Sequence, residues 1–477
     1  MRLLLINPPV PSVDVRAPEA ASTAGRMPPM GLLALATHVK SRGLAEVRLL
    51  DLQAADKPDA AVREAVKSFT PQVVGVSCCL FTFYDAVRAA RAARETAPDT
   101  HICMGGHHAS VYPAETAGLP EVDSAVSGEG ERTFEELLVA IQAGRSPAGL
   151  AGVAARDGDG KVVVGPPREL IRDLDSLPAP DRSILGETGY AWILDRGERT
   201  ALLFAGRGCP FKCSFCFNVM RSTRFHSPEY IVEDMKRCVS QGYTLLNFYD
   251  ETFNFGRERT TALARAIGAS RLGVPWTFRG RCDVMDDELA RELAAAGCRR
   301  INFGIEAGTD ETLRTYRKQT DVDTARRAVE SASRAGIEPV GYFILGAPGE
   351  TREQCEETIR FACSLPLNAA QFMVLIPLPG TEIYERALAE GALGGDYLRR
   401  WAADPREPLR PRLWETALDE PALLELMRAA YRRFYLRPGY IARQFPKLRS
   451  WRDFVTRARA AFSILRYVLA GKRPKLD

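Results

Sequence analysis

No apolar run in this 477-residue chain approaches the ~20 residues needed to span a bilayer. The opening "MRLLLINPPVPS" (1–12) is too short an apolar stretch for a signal peptide, and prolines end it. A strong charge is also missing. The net value of +4 is too small to imply nucleic acid or a membrane as partner. A disulfide framework is not expected, because the eleven cysteines are odd in number and scattered. A reducing cytoplasm is the expected compartment, and there clustered cysteines mean metal or redox chemistry. What is present is a globular composition, 46% hydrophobic and 26% charged, long enough for two to four domains.

Residues 1–145 alternate short apolar runs with helical stretches. The runs are "RLLLIN" (2–7), "EVRLLDL" (46–52), "QVVGVSC" (72–78), "HICMGG" (101–106) and "DSAVSG" (123–128). Near-continuous apolar strands separated by helices predict a parallel sheet covered on both faces, in a doubly wound domain. Such sheets bind ligands beyond the carboxyl ends of their strands. Those ends carry Ser77, Gly105, Gly106, His108, Gly128 and Glu129. Residues 146–195 read as a connector with a hairpin turn at "RDGDGK" and a stiff "LPAPDRS". From 196 to 385 the alternation returns with longer periods. Six strand–helix units there predict a partial parallel barrel of the (β/α)6 kind. Residues 386–477 read as helical and basic, with thirteen Lys/Arg against two Asp over 431–477.

"GRGCPFKCSFCFNV" (206–219) sets Cys209, Cys213 and Cys216 in C-x3-C-x2-C spacing at the end of the first barrel strand. Structural zinc takes four protein ligands, and no second half-site stands at finger spacing. Three thiolates instead suit a four-iron cluster with one iron left open to a substrate or cosubstrate. Zinc and chance are the competing readings.

With Phe215 before its third cysteine, this motif resembles the radical S-adenosylmethionine (SAM) signature. The resemblance covers about 195–385. It implies a 4Fe-4S cluster held by Cys209, Cys213 and Cys216, with SAM chelated by the open iron and split by one electron. It further implies cofactor contacts at later strand ends: Asp250 and Glu251 in "FYDETF", Arg281 in "RGR", Glu306 in "GIEAG", and Ile344 and Gly346 in "GYFILGAPGE". Each of those carboxylates would serve equally as a helix cap or a solvated group.

"PPMGLLALATHVKSRG" (28–43), "GGHHAS" (105–110) and "SGEGERTFEEL" (127–137) resemble the cobalamin-binding domain that precedes the radical SAM domain in one large subfamily. The axial-ligand motif D-x-H-x-x-G is absent after the first strand, so the resemblance implies cobalamin bound without a histidine ligand. The whole chain is thereby expected to be a cobalamin-dependent radical SAM methyltransferase acting on an unactivated carbon of a small molecule. One SAM would methylate the cobalamin and a second would yield the radical. Tetrapyrroles, lipids, aminoglycosides and peptide-derived compounds all remain open as substrates. An oxidative cyclase or ring-rearrangement enzyme is the alternative within enzymes, and a non-catalytic cobalamin or redox sensor the alternative outside them. A low-potential donor such as flavodoxin or ferredoxin is the expected electron source. The segment 451–471 lines Phe454, Val455, Phe462, Leu465 and Val468 along one helical side, so peripheral membrane contact is a further expectation.

Overall fold

The computed structural model describes residues 1–9, 25–186, 189–192, 195, 198–218 and 220–444. The basic stretch 451–471 therefore lies outside the described residues. The chain divides into two compact units. The first takes in 1–14, 28–188 and 394–411, and the second takes in the rest.

In the first unit five strands run parallel: β1 (Arg2–Asn7), β2 (Glu46–Asp51), β3 (Val73–Ser77), β4 (His101–Gly105) and β5 (Ser124–Val126). Their order is 2-1-3-4-5, so the winding reverses between β1 and β3. Leu3 to Ile6 are fully buried, as expected for a strand covered on both faces. The sheet then continues past residue 145, into the stretch read as a connector. β6 (Val153–Arg156) and β7 (Val162–Val164) form an antiparallel hairpin on β5, making seven strands. The turn read at "RDGDGK" is this hairpin's turn, closed by Asp157 N–H on the Lys161 carbonyl at 2.9 Å. The hairpin covers the edge that β5 would otherwise leave open.

The second unit carries β8 (Thr200–Leu203), β9 (Leu245–Phe248), β10 (Trp276–Gly280), β11 (Cys298–Glu306), β12 (Glu338–Leu345) and β13 (Ala369–Val374). All pair in parallel and in chain order, and β8 is not paired to β13, so the barrel is open. Side chains alternate along these strands, apart from register shifts in the β10–β11 and β11–β12 pairings. Trp276 and Phe278 of β10, Phe248 of β9, and Ile301 and Phe303 of β11 pack outward against helix residues such as Leu263 and Leu289. The opposite, inner face is left to Asn247, Thr277, Arg279, Arg300, Asn302 and Tyr342.

The last edge is closed by side chains. Helix Glu420–Tyr435 lies along β13 and brings Tyr431 and Tyr435 to its free backbone. The Tyr435 hydroxyl accepts from Ala370 N–H at 3.0 Å and donates to the Ala370 carbonyl at 2.8 Å. Tyr431 does the same at Phe372, at 3.3 and 3.2 Å. Two phenols thus stand in for a seventh strand.

Candidate active site

The cysteine loop follows β8, at the carboxyl end of the barrel strands. It is pinned at its centre. Ser214 N–H donates to the Tyr316 carbonyl at 2.9 Å, and its hydroxyl donates to Thr315 O at 3.0 Å. Ser214 O accepts from Ile383 N–H at 3.0 Å. Phe215 packs edge-on to Tyr316, with ring centroids 4.9 Å apart. Cys209 N–H donates to the Met220 carbonyl at 3.1 Å, and Asn218 Nδ2 donates to the Cys209 carbonyl at 2.5 Å. These bonds hold the backbone, and Phe211 N–H also bonds the Cys209 sulfur. Cys209 and Cys213 are half-buried, Cys216 is exposed, and none is in a disulfide. Burial raises the pKa of the Cys209 thiol.

The donor set fits a cluster better than a single ion. One zinc would draw its sulfurs to about 2.3 Å from a common point. Among the described residues no three His, Cys, Asp or Glu side chains are so gathered. A cubane takes each thiolate on a different iron, and three thiols on one fixed loop match that need.

Two cation–carboxylate pairs flank the loop. Arg281 Nη1 lies 3.9 Å from Cys213 Sγ, and its guanidinium stacks 3.6 Å over the Phe211 ring. Asp283 takes its Nε at 2.8 Å, and the Lys318 carbonyl takes Nη2 at 2.6 Å. Lys318 Nζ bonds Glu306 Oε1 at 2.7 Å, with both side chains under a tenth exposed. Burial alone would lower the Lys318 pKa, but Glu306 and Cys213 outweigh it and the net shift is upward. Glu306 reaches this partner from a left-handed backbone, φ +72°, at an irregularity in the β11–β12 pairing. Gly304 makes room for the pair. A Cβ there would sit 2.5 Å from Glu306 Oε1 and 3.0 Å from Lys318 Nζ. Lys318 was not singled out in the sequence, because "RKQT" follows a helix rather than a strand.

The remaining expected contacts fall in different settings. Asp250 is buried, and its Oδ2 accepts from Ala205 N–H at 3.1 Å. That bond fixes the exit of β8 into the cysteine loop. Its Oδ1 has no hydrogen-bond partner among the described residues, and burial pushes its pKa up to about 7. Nearby Arg259 is itself lowered to about 10 by burial. Glu251 is exposed. Ile344 is buried near the end of β12, and its carbonyl faces the Tyr316 hydroxyl at 3.5 Å. Gly346 N–H donates to buried Glu350, Oε2, at 2.6 Å, as does Ala347 N–H at 2.9 Å. That carboxylate, unnamed in the sequence reading, shapes the loop after β12.

In the first unit, Ser77, Gly105, Gly106 and Gly128 all stand at the carboxyl ends of the parallel strands. Gly106 has φ +113°, and a Cβ on it would fall 2.6 Å from the Cys78 carbonyl. Only glycine allows β3 and β4 to exit so close together. Glu129 turns away from this rim, and its Oε2 accepts from Ile171 N–H at 2.8 Å. His108 is 2% exposed and stacks on Phe83 at 3.5 Å between centroids, with Tyr112 and Trp401 beside it. Neither ring nitrogen has a hydrogen-bond partner among the described residues. Burial lowers its pKa to about 3, so it is neutral.

A doubly wound unit and an open barrel with a three-thiol loop are what two family models also detect. The B12 binding domain matches residues 19–138, and the Radical SAM superfamily matches 203–362. The chain is 32% identical over 444 residues to Uncharacterized methyltransferase PH0819 of Pyrococcus horikoshii, covering 92% of this chain and 93% of that one. It is 29% identical over 473 residues to the anaerobic magnesium-protoporphyrin IX monomethyl ester cyclase of Rubrivivax gelatinosus, covering 97% and 82%. Among solved structures, the radical SAM methyltransferase TsrM from Kitasatospora setae, with cobalamin and a 4Fe-4S cluster bound, superposes with TM-score 0.73 at 20% identity. That match covers 92% of this chain and 89% of the other. Fold and relatives define the class: a radical SAM enzyme with an N-terminal B12-binding domain. The chain belongs to the cobalamin-dependent radical SAM family, and its cofactors are a 4Fe-4S cluster, SAM and cobalamin.

Proposed function

We propose that this enzyme transfers a methyl group to an unactivated carbon of a small-molecule substrate inside the barrel of the second unit. The three-thiol loop at the barrel's strand ends, in a chain that also carries a B12-binding domain, is the observation that carries the reading. When bound, the three cofactors supply one-electron cleavage of a sulfonium and a transferable methyl group. Cys209, Cys213 and Cys216 hold the cluster. Arg281 and Lys318, each paired with a carboxylate, lie beside it; Arg281 meets Cys213, and the Tyr316 carbonyl holds the loop at Ser214. Glu306, already oriented by Lys318, keeps one carboxylate oxygen for a cationic or hydroxylated group of SAM. The aromatic floor of Phe211, Phe215 and Tyr316 keeps water from the reacting atoms. Electrons come from a low-potential flavodoxin or ferredoxin.

Ring closure without methyl transfer is the second reading, favoured by the match to the cyclase over nearly the whole chain. Anaerobic turnover with SAM carrying a deuterated methyl group separates the two. Methyl transfer predicts a product heavier by the labelled methyl. A product formed alongside 5′-deoxyadenosine but without label overturns it in favour of ring closure.

A further inference from the structure

The inner face of β10 presents Thr277, Arg279 and, just past the strand, Arg281 at a spacing of two residues. Two residues of strand advance about 7 Å, so Arg279 lies one side-chain layer inside Arg281 and its neighbour Cys213. The other buried cations of this interior are neutralised. Arg300 bonds Asp195 at 2.9 Å, Arg281 bonds Asp283 at 2.8 Å, and Lys318 bonds Glu306 at 2.7 Å. Arg279 has no carboxylate among the described residues. Its guanidinium lies 3.4 Å over the Tyr249 ring and is hydrogen-bonded to the Tyr342 phenol, while its Nε is buried without a hydrogen-bond partner. On the paired residue of β11, Asn302 Oδ1 is likewise buried and unpartnered. Tyr249, Arg279 and Tyr342 each keep some exposure, so they line accessible space.

A half-buried guanidinium with no counter-charge loses hydration that nothing repays. Its fork of donors matches a carboxylate or phosphoryl oxyanion, which would repay it. We propose that Arg279 is a specificity residue that anchors an oxyanion of the substrate, with Tyr249 and Tyr342 as its walls. The other end of the substrate then lies toward Cys213. This deepens the proposed function and rests on its placing the substrate inside the barrel. Its test reads binding, so it stands or falls apart from methyl transfer.

The test uses anaerobic, cofactor-reconstituted full-length protein at fixed ionic strength. Succinate, inorganic phosphate and the neutral diester dimethyl succinate are titrated through the millimolar range, with saturable shifts in thermal midpoint as readout. Succinate or phosphate is expected to bind and the diester not; whichever binds identifies the anion. Arg279→Met should weaken that binding by about tenfold or more. Arg279→Lys, which keeps the charge and loses the fork, should fall between. Near-UV circular dichroism and iron content check that both variants fold. If Arg279→Met misfolds, the comparison of wild type with Arg279→Lys decides. No saturable anion response in the wild type, or an equal response in well-folded variants, overturns the assignment.

Discussion

At the carboxyl ends of the first unit's strands, the chain offers backbone and small residues: Ser77, Gly105, Gly106 and Gly128. His108 there is sealed among aromatic rings, and Glu129 is used on the connector's backbone. At the corresponding ends of the barrel strands stand three thiols together with arginine, lysine, aspartate and glutamate side chains. The architecture is the same, strands in parallel with their exits on one side. The materials are opposite. A rim of glycine and backbone accepts a large, preformed group by shape, whereas a rim of fixed charge orients a small ionic one. A shared fold thus says where ligands go, and the side chains at the exits say what kind.

The largest effect should come from the charged rim. Cys213→Ala is expected to abolish 5′-deoxyadenosine formation from SAM and to lower iron and sulfide content after reconstitution. Full iron loading with retained cleavage would falsify the ligand set. Next comes the buried pair. Lys318→Met leaves Glu306 enclosed and unpaired and should cost about 3–5 kcal/mol in urea unfolding. Adding Glu306→Gln should restore most of that. A single variant as stable as the parent means the pair does not carry the rim.

On the small-residue rim the expected losses are smaller. Gly106→Ala meets the Cys78 carbonyl and an all but glycine-only backbone, for about 1–3 kcal/mol. Gly128→Ala, with φ +74° and open space around it, should cost about 1 kcal/mol. Equal losses at the two positions would show that close strand exit is not what Gly106 provides.

The gentlest test is pH. His108 has its folded pKa lowered to about 3 from 6.5, so its contribution to stability is present above 6.5 and fades as pH falls toward 3. Asp250 has its folded pKa raised to about 7 from 3.8, so its contribution is present below 3.8 and fades as pH rises toward 7. The two regions thus respond with opposite sign. His108→Phe should flatten the acid-side slope of urea stability, whatever its effect on the absolute value. An unchanged slope would show that His108 does not govern that limb.

Much of this could be read from the sequence because it rests on local signals. Apolar runs located the parallel strands of both units, and cysteine spacing singled out the three-thiol loop after the first barrel strand. What escaped depends on distant residues meeting. The strands at 153–156 and 162–164 are too short to stand out, and become strands only by pairing with β5. Lys318 gains its meaning from Glu306, twelve residues earlier. His108 looked like a rim group until Phe83 and Trp401 enclosed it. Arg279 reads as an ordinary strand arginine, and what sets it apart is a missing counter-charge, which no local pattern shows. Asp250 and Glu129 were legible as strand-end carboxylates. That each would bond a backbone amide was not.

Trp401 carries one more consequence. It belongs to 394–411, a stretch that the chain returns to the first unit some two hundred residues after leaving it. The cobalamin-type sheet is therefore not a segment that can be cut out at residue 186. Expressed alone, such a fragment would have a wet gap beside Phe83 and His108, and should be stickier and less stable than its own core implies. A split version that supplies 394–411 as a tethered peptide would close the gap.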